Sequence, residues 1–565
     1  MDIKESAPYL TDKYIQQFKE YYPDMELMYK ENPYSLLDIP QEFEDTPDFS
    51  DIDKAVVIKT FDLRLKEMRA VIKDVLKQNE QAGDSWINRI DLEDKIKRIL
   101  YKTGHPVLNK GLLPACLNYY SKTGLISIDK KRDTVSLTET RNKEFKIYNG
   151  IKSMKKNKID FSKYRPIDIS EILSSEQLSS AYNIITASEN IALLTGGPGT
   201  GKTTITKSIV KGINSAYPER KIVLLAPTGK AAKRIQEVFE GQDIEIETIH
   251  LFVGWGFDEG KMIKVKRNIE ATDVIIIDEA SMVSVDVLSR LFEYINTATT
   301  KLIFVGDSDQ LPAVGTGDLI NDLKTMGVYE EHLYINYRSD DAIITNAKRL
   351  KSGDFHLQTG ETFEFIDINS CIAKELLAKE MAYGDDNEIT LTPYRKQYIN
   401  GNVLELNKLI HIEKYGERRR DFLNGYCLGE RVIFTKTNYK RGYFNGDTGT
   451  LDGVCSVKVN KERVDAYKIT LADGKTVKVI NGDDFELAYA ITIHKSQGSE
   501  YDIVNIYIPE YSSFITREML YTAITRAKAK VRLWTTLDIY KRICLTKTLK
   551  RKTLINLWNE ENEAA

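Results

Sequence analysis

Cysteine is scarce and scattered: five residues, at positions 116, 371, 427, 455 and 544, with no Cys-x-x-Cys pair. An odd, widely spaced set supports neither a disulfide framework nor a zinc site. No run is apolar and long enough to span a bilayer, and the amino terminus, MDIKESAPYL, lacks the apolar core of a secretory signal. A reducing, cytoplasmic setting without membrane partners is the expectation. An excess of charge of one sign is missing too. With a formal net charge of −3, the 565-residue chain does not coat nucleic acid by bulk electrostatics. A local basic channel offset by acidic faces elsewhere stays open. No internal repeat or low-complexity tract is visible.

What is present is ordinary globular material, 42% hydrophobic and 29% charged, enough for roughly three to five domains. Residues 1–165 are rich in Lys, Asp, Glu and Tyr and carry no catalytic signature. Helix-type spacing at 52–79 and 90–102 is followed at 124–148 by strand, charged turn, strand and helix, which fits a winged-helix-like module or a generic docking domain. From residue 191 the texture changes. Short apolar runs (IALLT, KIVLLAP, DVIIIDE, KLIFVGD) alternate with helical patterns, as in a parallel α/β sheet. EITLTP, DIVNIYIPE and VRLWTT give a second such unit. Between them, 428–486 reads as a small inserted β-barrel.

The strongest chemical signal is Gly196-Gly197-Pro198-Gly199-Thr200-Gly201-Lys202-Thr203-Thr204, between a strand and a helix. Glycines let backbone N–H groups face phosphates, and the helix N-terminus adds positive dipole. Lys202 is placed to reach the terminal phosphates and Thr203 to ligate Mg²⁺. Downstream, VIIIDEAS is a buried strand ending in two acids. Asp278 suits the metal, and Glu279 suits the attacking water. A third strand runs into Gln310, a neutral group able to sense the γ-phosphate or its water. Gln177, near a helix start, has an amide suited to the adenine edge, although an exposed helix glutamine is the ordinary alternative. Arg338 in INYRS and Arg526 in YTAITRAK are candidate fingers for transition-state charge from a second lobe.

A second series points to nucleic acid. Pro227 and Thr228 follow a strand and precede the helix KAAKRI, so Thr228 and nearby N–H groups can hold a backbone phosphate. Thr248 and His250 in TIHLF, and Thr492, His494 and Lys495 in ITIHKSQGSE, are similar polar groups at element ends. Trp255 and Phe257 suit a base-stacking or duplex-splitting hairpin, or equally a hairpin packed on its own domain.

Taken in order, Gln177, GGPGTGKTT, APTGKAA, TIH, IIDEASM, GDSDQLPAVGTGDLI, NYRS, ITIHKSQGSEYD and YTAITRAK resemble the motifs of superfamily 1 helicases. DEASM, GDSDQLPAVGTGDLI and HKSQGSEYD are most similar to the RecD-like branch (superfamily 1B), which includes stand-alone RecD-like helicases and phage Dda helicase. The resemblance spans about residues 170–535. It implies an α/β fold of two RecA-like P-loop lobes, 166–335 and 336–565. It adds a pin hairpin near 252–270 and an SH3-like barrel near 428–486, beside a mainly helical N-terminal domain. It implies ATP and Mg²⁺ as cofactors, and 5′→3′ movement on single-stranded DNA and at single-strand/duplex junctions. It lends ATPase roles to Lys202, Thr203, Asp278, Glu279, Gln310, Arg338, Gln497 and Arg526, with Gly498 and Glu500 in the same motif as Gln497. Thr228, Thr248, Thr392, Thr492 and His494 are implied DNA contacts. A replication or repair partner is expected to dock through residues 1–165. The rival expectations are an RNA-directed superfamily 1 helicase and an ATPase subunit that needs a partner to unwind. In the N-terminal part, NPYSLLDIP and GHPVLNKGLLPACL resemble the helix-hairpin-helix and winged-helix-like segments of stand-alone RecD-like proteins, but the Gly-x-Gly hairpin of the former is missing.

Overall fold

The computed structural model describes residues 68–564, apart from short stretches at 103–111, 168–172, 259–260, 265–271, 338–341, 369–372, 386, 396–398, 417–424, 439, 460–461 and 481. Contacts divide the chain into two units. One comprises 1–146, 314–317 and 551–565; the other comprises 147–313 and 318–550. Among the described residues no helix is long and apolar enough to cross a membrane. Cys116, Cys427, Cys455 and Cys544 form no disulfide among the described residues.

In the first unit a three-stranded antiparallel sheet (Ile87–Asn88, Thr134–Leu137, Ile126–Asp129) packs with helices at Arg89–Lys102 and Leu112–Lys122. Ile72, Leu92, Ile96 and Val135 are fully buried at its centre. Residues 551–565, expected with the second lobe, cluster here instead. The physical reason is the start of the helix Leu554–Ala564, whose free N–H groups need acceptors. Leu554 N–H donates to Ser85 Oγ at 2.9 Å and Ile555 N–H to Glu144 Oε2 at 3.1 Å.

The second unit holds two parallel sheets. The first contains β1 (Ile191–Gly196), β2 (Ile222–Ala226), β3 (Glu245–Thr248), β4 (Val274–Ile277), β5 (Lys301–Gly306) and β6 (Tyr329–Leu333), in the order β6-β1-β5-β4-β2-β3. Helices α1 (Ser175–Thr186), α2 (Lys202–Ala216) and α3 (Gly229–Val238) pack on one face. The central strands are buried on both faces, which is why they read as unbroken apolar runs rather than alternating ones. Each such Ile or Leu stabilises the lobe by about 1.5–3 kcal/mol. Because β1, β5 and β4 are neighbours, the loops after Gly196, Gly306 and Ile277 meet at one sheet edge. Ligands of open α/β sheets bind outside such carboxyl ends.

The second sheet contains β7 (Phe363–Asp367), β8 (Glu388–Thr392), β9 (Ala490–Thr492), β10 (Tyr501–Tyr507) and β11 (Ala527–Thr535), in the order β7-β11-β10-β8-β9. Helix α4 (Arg517–Ile524) packs against it. Between β8 and β9 the chain builds a five-stranded antiparallel sheet: Arg431–Phe434, Thr448–Val459, Glu462–Leu471, Thr476–Val479 and Phe485–Leu487. In the first lobe, Trp255–Asp258 and Lys261–Lys264 pair as an antiparallel hairpin. Its side chains, including Trp255 and Phe257, lie outside the described residues, as does part of the 252–270 span.

Candidate nucleotide site and strand-facing edge

Phosphate-loop geometry follows from its glycines. Gly199 and Gly201 adopt φ of +76° and +83°, a region costly for other L-residues. A Cβ on Gly201 would lie 2.3 Å from Gln177 Nε2, so close approach demands glycine as well. Gln177 itself is buried and forms a capping box with Ser174 at the start of α1. Its Oε1 accepts from Ser174 N–H at 3.0 Å, and its Nε2 donates to the Thr200 carbonyl at 3.1 Å. Through that bond the amide braces the phosphate loop. Lys202 Nζ donates to the Gly196 and Gly197 carbonyls at 2.7 and 3.0 Å, folded onto the loop whose phosphate it is suited to hold.

A cavity of about 210 Å³ opens in front of this loop. Its wall includes Pro198, Gly199, Gly201, Lys202, Thr203 and Thr204 from the loop and α2. Asp278, Glu279 and Gln310 come from the ends of β4 and β5, and Gly498, Glu500 and Arg526 from the second lobe. Gly197 and Thr200 belong to the same loop without lining the wall. Glu279 has φ +52°, ψ 43°, one of two non-glycine residues in that region among those described. Such strain, of order 1–3 kcal/mol, persists at sites where geometry matters to chemistry. Part of Asp278 is open to the cavity, but protein surrounds its carboxylate. Burial and the neighbouring Glu279 push it up, while the Glu279 N–H at 2.8 Å, Lys202 and Arg234 pull it down; the net shift is upward. Gln310 lines the cavity, and its Oε1 is buried with no partner among the described residues.

Arg526 is 3% exposed, its guanidinium resting on the Thr522 and Ser499 carbonyls at 3.1 and 3.2 Å. Gln497, expected at the nucleotide, donates instead to the Leu311 carbonyl and does not line the cavity. Arg338 lies outside the described residues. The residues just before it are placed: Tyr337 N–H donates to the Gly199 carbonyl at 2.9 Å and Asn336 Nδ2 to the Pro198 carbonyl at 2.7 Å. Sequence reasoning also missed Arg234, whose only signal was a cation on the helix after APTG, and Tyr521. The Tyr521 hydroxyl donates to Asp307 at 3.0 Å; burial, then Asp307 and Asp309, hold it protonated.

The threonines of the second series share one geometry. Thr248 and Thr492 each end a strand and Thr228 lies two residues beyond one; all three cap the next helical turn, accepting from the N–H of Ala231 (Thr228), Leu251 (Thr248) and Lys495 (Thr492). A hydroxyl that accepts at a cap keeps its proton to donate, beside N–H groups at a helix start. Pro227 precedes the first cap. His250 follows the second and is pushed down by burial, which favours the neutral imidazole; His494 follows the third and is exposed. Thr392 departs from this pattern. It is fully buried in register with Thr492, and its hydroxyl donates to the Gly401 carbonyl at 3.0 Å. Thr392 thus ends its strand beside the Thr492 cap, with its hydroxyl turned to the backbone of its own lobe.

A phosphate loop facing strand-end acids, with a buried arginine across the cavity in the turn that leads into a second parallel sheet, defines a two-lobed P-loop nucleoside-triphosphatase. Residues 172–373 match the family model of an AAA domain, and 487–534 that of a UvrD-like helicase C-terminal domain. The RecBCD enzyme subunit RecD of Mycolicibacterium smegmatis is 30% identical over 393 residues, covering 62% of this chain and 69% of that one. The chain belongs to the RecD family. The ATP-dependent RecD2 DNA helicase of Deinococcus radiodurans is 29% identical over 372 residues, covering 63% of this chain and 48% of that one. Pif1 helicase from Bacteroides, solved with ADP-AlF3 and ssDNA, aligns at 19% identity over 70% of this chain and 97% of that one. The TM-score of that alignment is 0.44.

Proposed function

We propose that this chain is an ATP-dependent DNA helicase that translocates 5′ to 3′ on single-stranded DNA and serves repair, recombination or replication. One observation carries the reading. A single cavity is walled by the phosphate loop, acids and Gln310 of one lobe and by Arg526 of the other, so nucleotide occupancy bears on how the lobes meet. Each lobe also presents capped helix starts able to hold backbone phosphates. Such contacts are indifferent to base sequence and sensitive to salt.

Thr203 and Asp278 fit a divalent cation. Two hard oxygen donors suit Mg²⁺, which keeps several waters and takes the rest of its shell from nucleotide phosphates. The cation would neutralise phosphate charge. Around it, Lys202 binds the terminal phosphates, Glu279 and Gln310 orient water, and Arg526 offsets charge on the transferred group. The same proposal takes the antiparallel sheet of 431–487 as the SH3-like insertion expected near 428–486, the hairpin at 255–264 as the pin expected near 252–270, and residues 124–148 as winged-helix-like. It also assigns residues 1–165 to docking a repair or replication partner. Its support is the strand order and the position of each insertion in the chain.

Strand displacement on duplexes with a 5′ or a 3′ single-stranded tail tests it, with Lys202→Ala as control. Unwinding only from the 5′ tail, lost in the variant, is expected. Unwinding only from the 3′ tail would overturn the direction.

A further inference from the structure

Helix α3 begins at the strand-facing edge and passes the nucleotide cavity. Its cap is Thr228, and Arg234, on its second turn, lines the cavity. Arg234 pairs with Glu500 of the second lobe at 2.9 Å. Glu500 closes a short stretch of that lobe that starts at the Thr492 cap. Each lobe thus has a cap threonine at one end of a short stretch of chain and a cavity-lining charge at the other, and the two charges meet. The neighbouring Lys233 reaches Asp447 and Asp473, in connections between strands of the antiparallel sheet, at 3.1 Å each. A Cβ on Gly229 would lie 2.8 Å from the Phe444 side chain. Helix α3 is therefore fitted closely to the second lobe along its first two turns.

The surroundings of Arg234 are those of a shared cation. Partial burial disfavours its charge, but Glu500, Glu279 and Asp278 together outweigh that and raise it above its ordinary value. The same guanidinium feels the acids of its own lobe and the acid opposite. A polyphosphate in the cavity alters that balance, because it brings several negative charges within a few ångströms of the pair. As a partly exposed ion pair it adds little to stability, so its consequence lies in coupling.

We propose that the Arg234–Glu500 pair is the joint through which nucleotide in the cavity sets the position of the Thr228 and Thr492 caps relative to each other. Arg234 is on this view a positioning residue, acting on the strand grip through Glu500 and α3. The inference rests on the reading that these caps hold a DNA strand.

The test measures ATPase kcat and KM, with and without single-stranded oligodeoxythymidylate. It compares the full chain with Arg234→Ala, Arg234→Lys, Glu500→Gln and the Arg234→Ala/Glu500→Gln double variant. The DNA-stimulated to unstimulated kcat ratio should fall about tenfold in Arg234→Ala and in Glu500→Gln, and no further in the double variant, as for residues acting as one unit. Arg234→Lys should recover most of the ratio, which a variant that merely misfolds would not allow. Additive losses in the double variant would overturn the joint, as would a raised KM in Arg234→Ala with the ratio intact. A wild-type enzyme that DNA does not stimulate would overturn the strand-binding reading, and the joint with it.

Discussion

Gln497 of the second lobe donates its amide N–H to the carbonyl of Leu311 in the first, at 3.0 Å, in a buried contact. From the other side, Leu311 N–H donates to Thr522 Oγ1 at 3.1 Å. The backbone next to Gln310 is thus held at both of its polar groups by the opposite lobe, and the Leu311 side chain packs in that lobe's core. Gln310 owes its position to residues far away in sequence.

Gln497→Ala should therefore disturb hydrolysis more than binding. Leaving the Leu311 carbonyl unpaired costs about 1–3 kcal/mol. If that loosening falls on Gln310, kcat drops about tenfold or more, since each 1.4 kcal/mol in the barrier is a factor of ten. Steady-state ATPase set beside fluorescent-nucleotide titration checks it. A loss of nucleotide affinity with kcat unchanged would contradict the bracket.

Glu279→Gln keeps the volume of the side chain and removes its ability to draw a proton from water. Removing a general base costs about 10²–10⁴ in rate, so hydrolysis should fall by at least about a hundredfold while nucleotide still binds. Single-turnover hydrolysis measured alongside equilibrium binding separates the two. Near-normal turnover would move the role to another group.

Gly201→Ala meets two obstacles at one position, a φ of +83° and a Cβ 2.3 Å from Gln177 Nε2. The left-handed conformation alone costs about 1–2 kcal/mol. ATP affinity should fall at least about tenfold, and Gln177→Ala in the same background should restore part of it by making room. A double variant no better than Gly201→Ala would show that φ, not contact, governs the site.

Burial pushes the Glu144 carboxyl up to about 7 from an ordinary 4.5. With the folded value above the unfolded one, its stabilising contribution is complete below about 4.5 and is lost as pH rises through about 7. The total is on the order of 3 kcal/mol for this fully buried group. Glu144→Gln should lack that dependence, so its melting temperature should gain on wild type between pH 5 and pH 8. A difference that stays flat across that range would exclude the titration.

The chemistry-bearing segments were legible because each is local. A phosphate loop needs glycines at set positions between a strand and a helix, and Gly199 and Gly201 occupy the left-handed region as that spacing requires. Buried parallel strands need unbroken apolar runs, and β1, β4 and β5 have them. The caps at Thr228, Thr248 and Thr492 follow from a hydroxyl residue standing between a strand and a helical turn. Thr392 ends β8 differently: its hydroxyl donates to the Gly401 carbonyl and accepts from the Tyr394 N–H.

Sequence alone thus determined the fold class, the nucleotide chemistry and the family, since backbone conformation and strand burial are written over a few consecutive residues. Only tertiary structure decided that Gln177 braces the loop, that Gln497 and Thr522 hold Leu311, that Arg234 meets Glu500, and that residues 551–565 join the first unit. Those contacts join residues far apart in the chain. Whether an amide faces a base or a carbonyl depends on what the fold packs beside it, and no periodicity or local spacing records that.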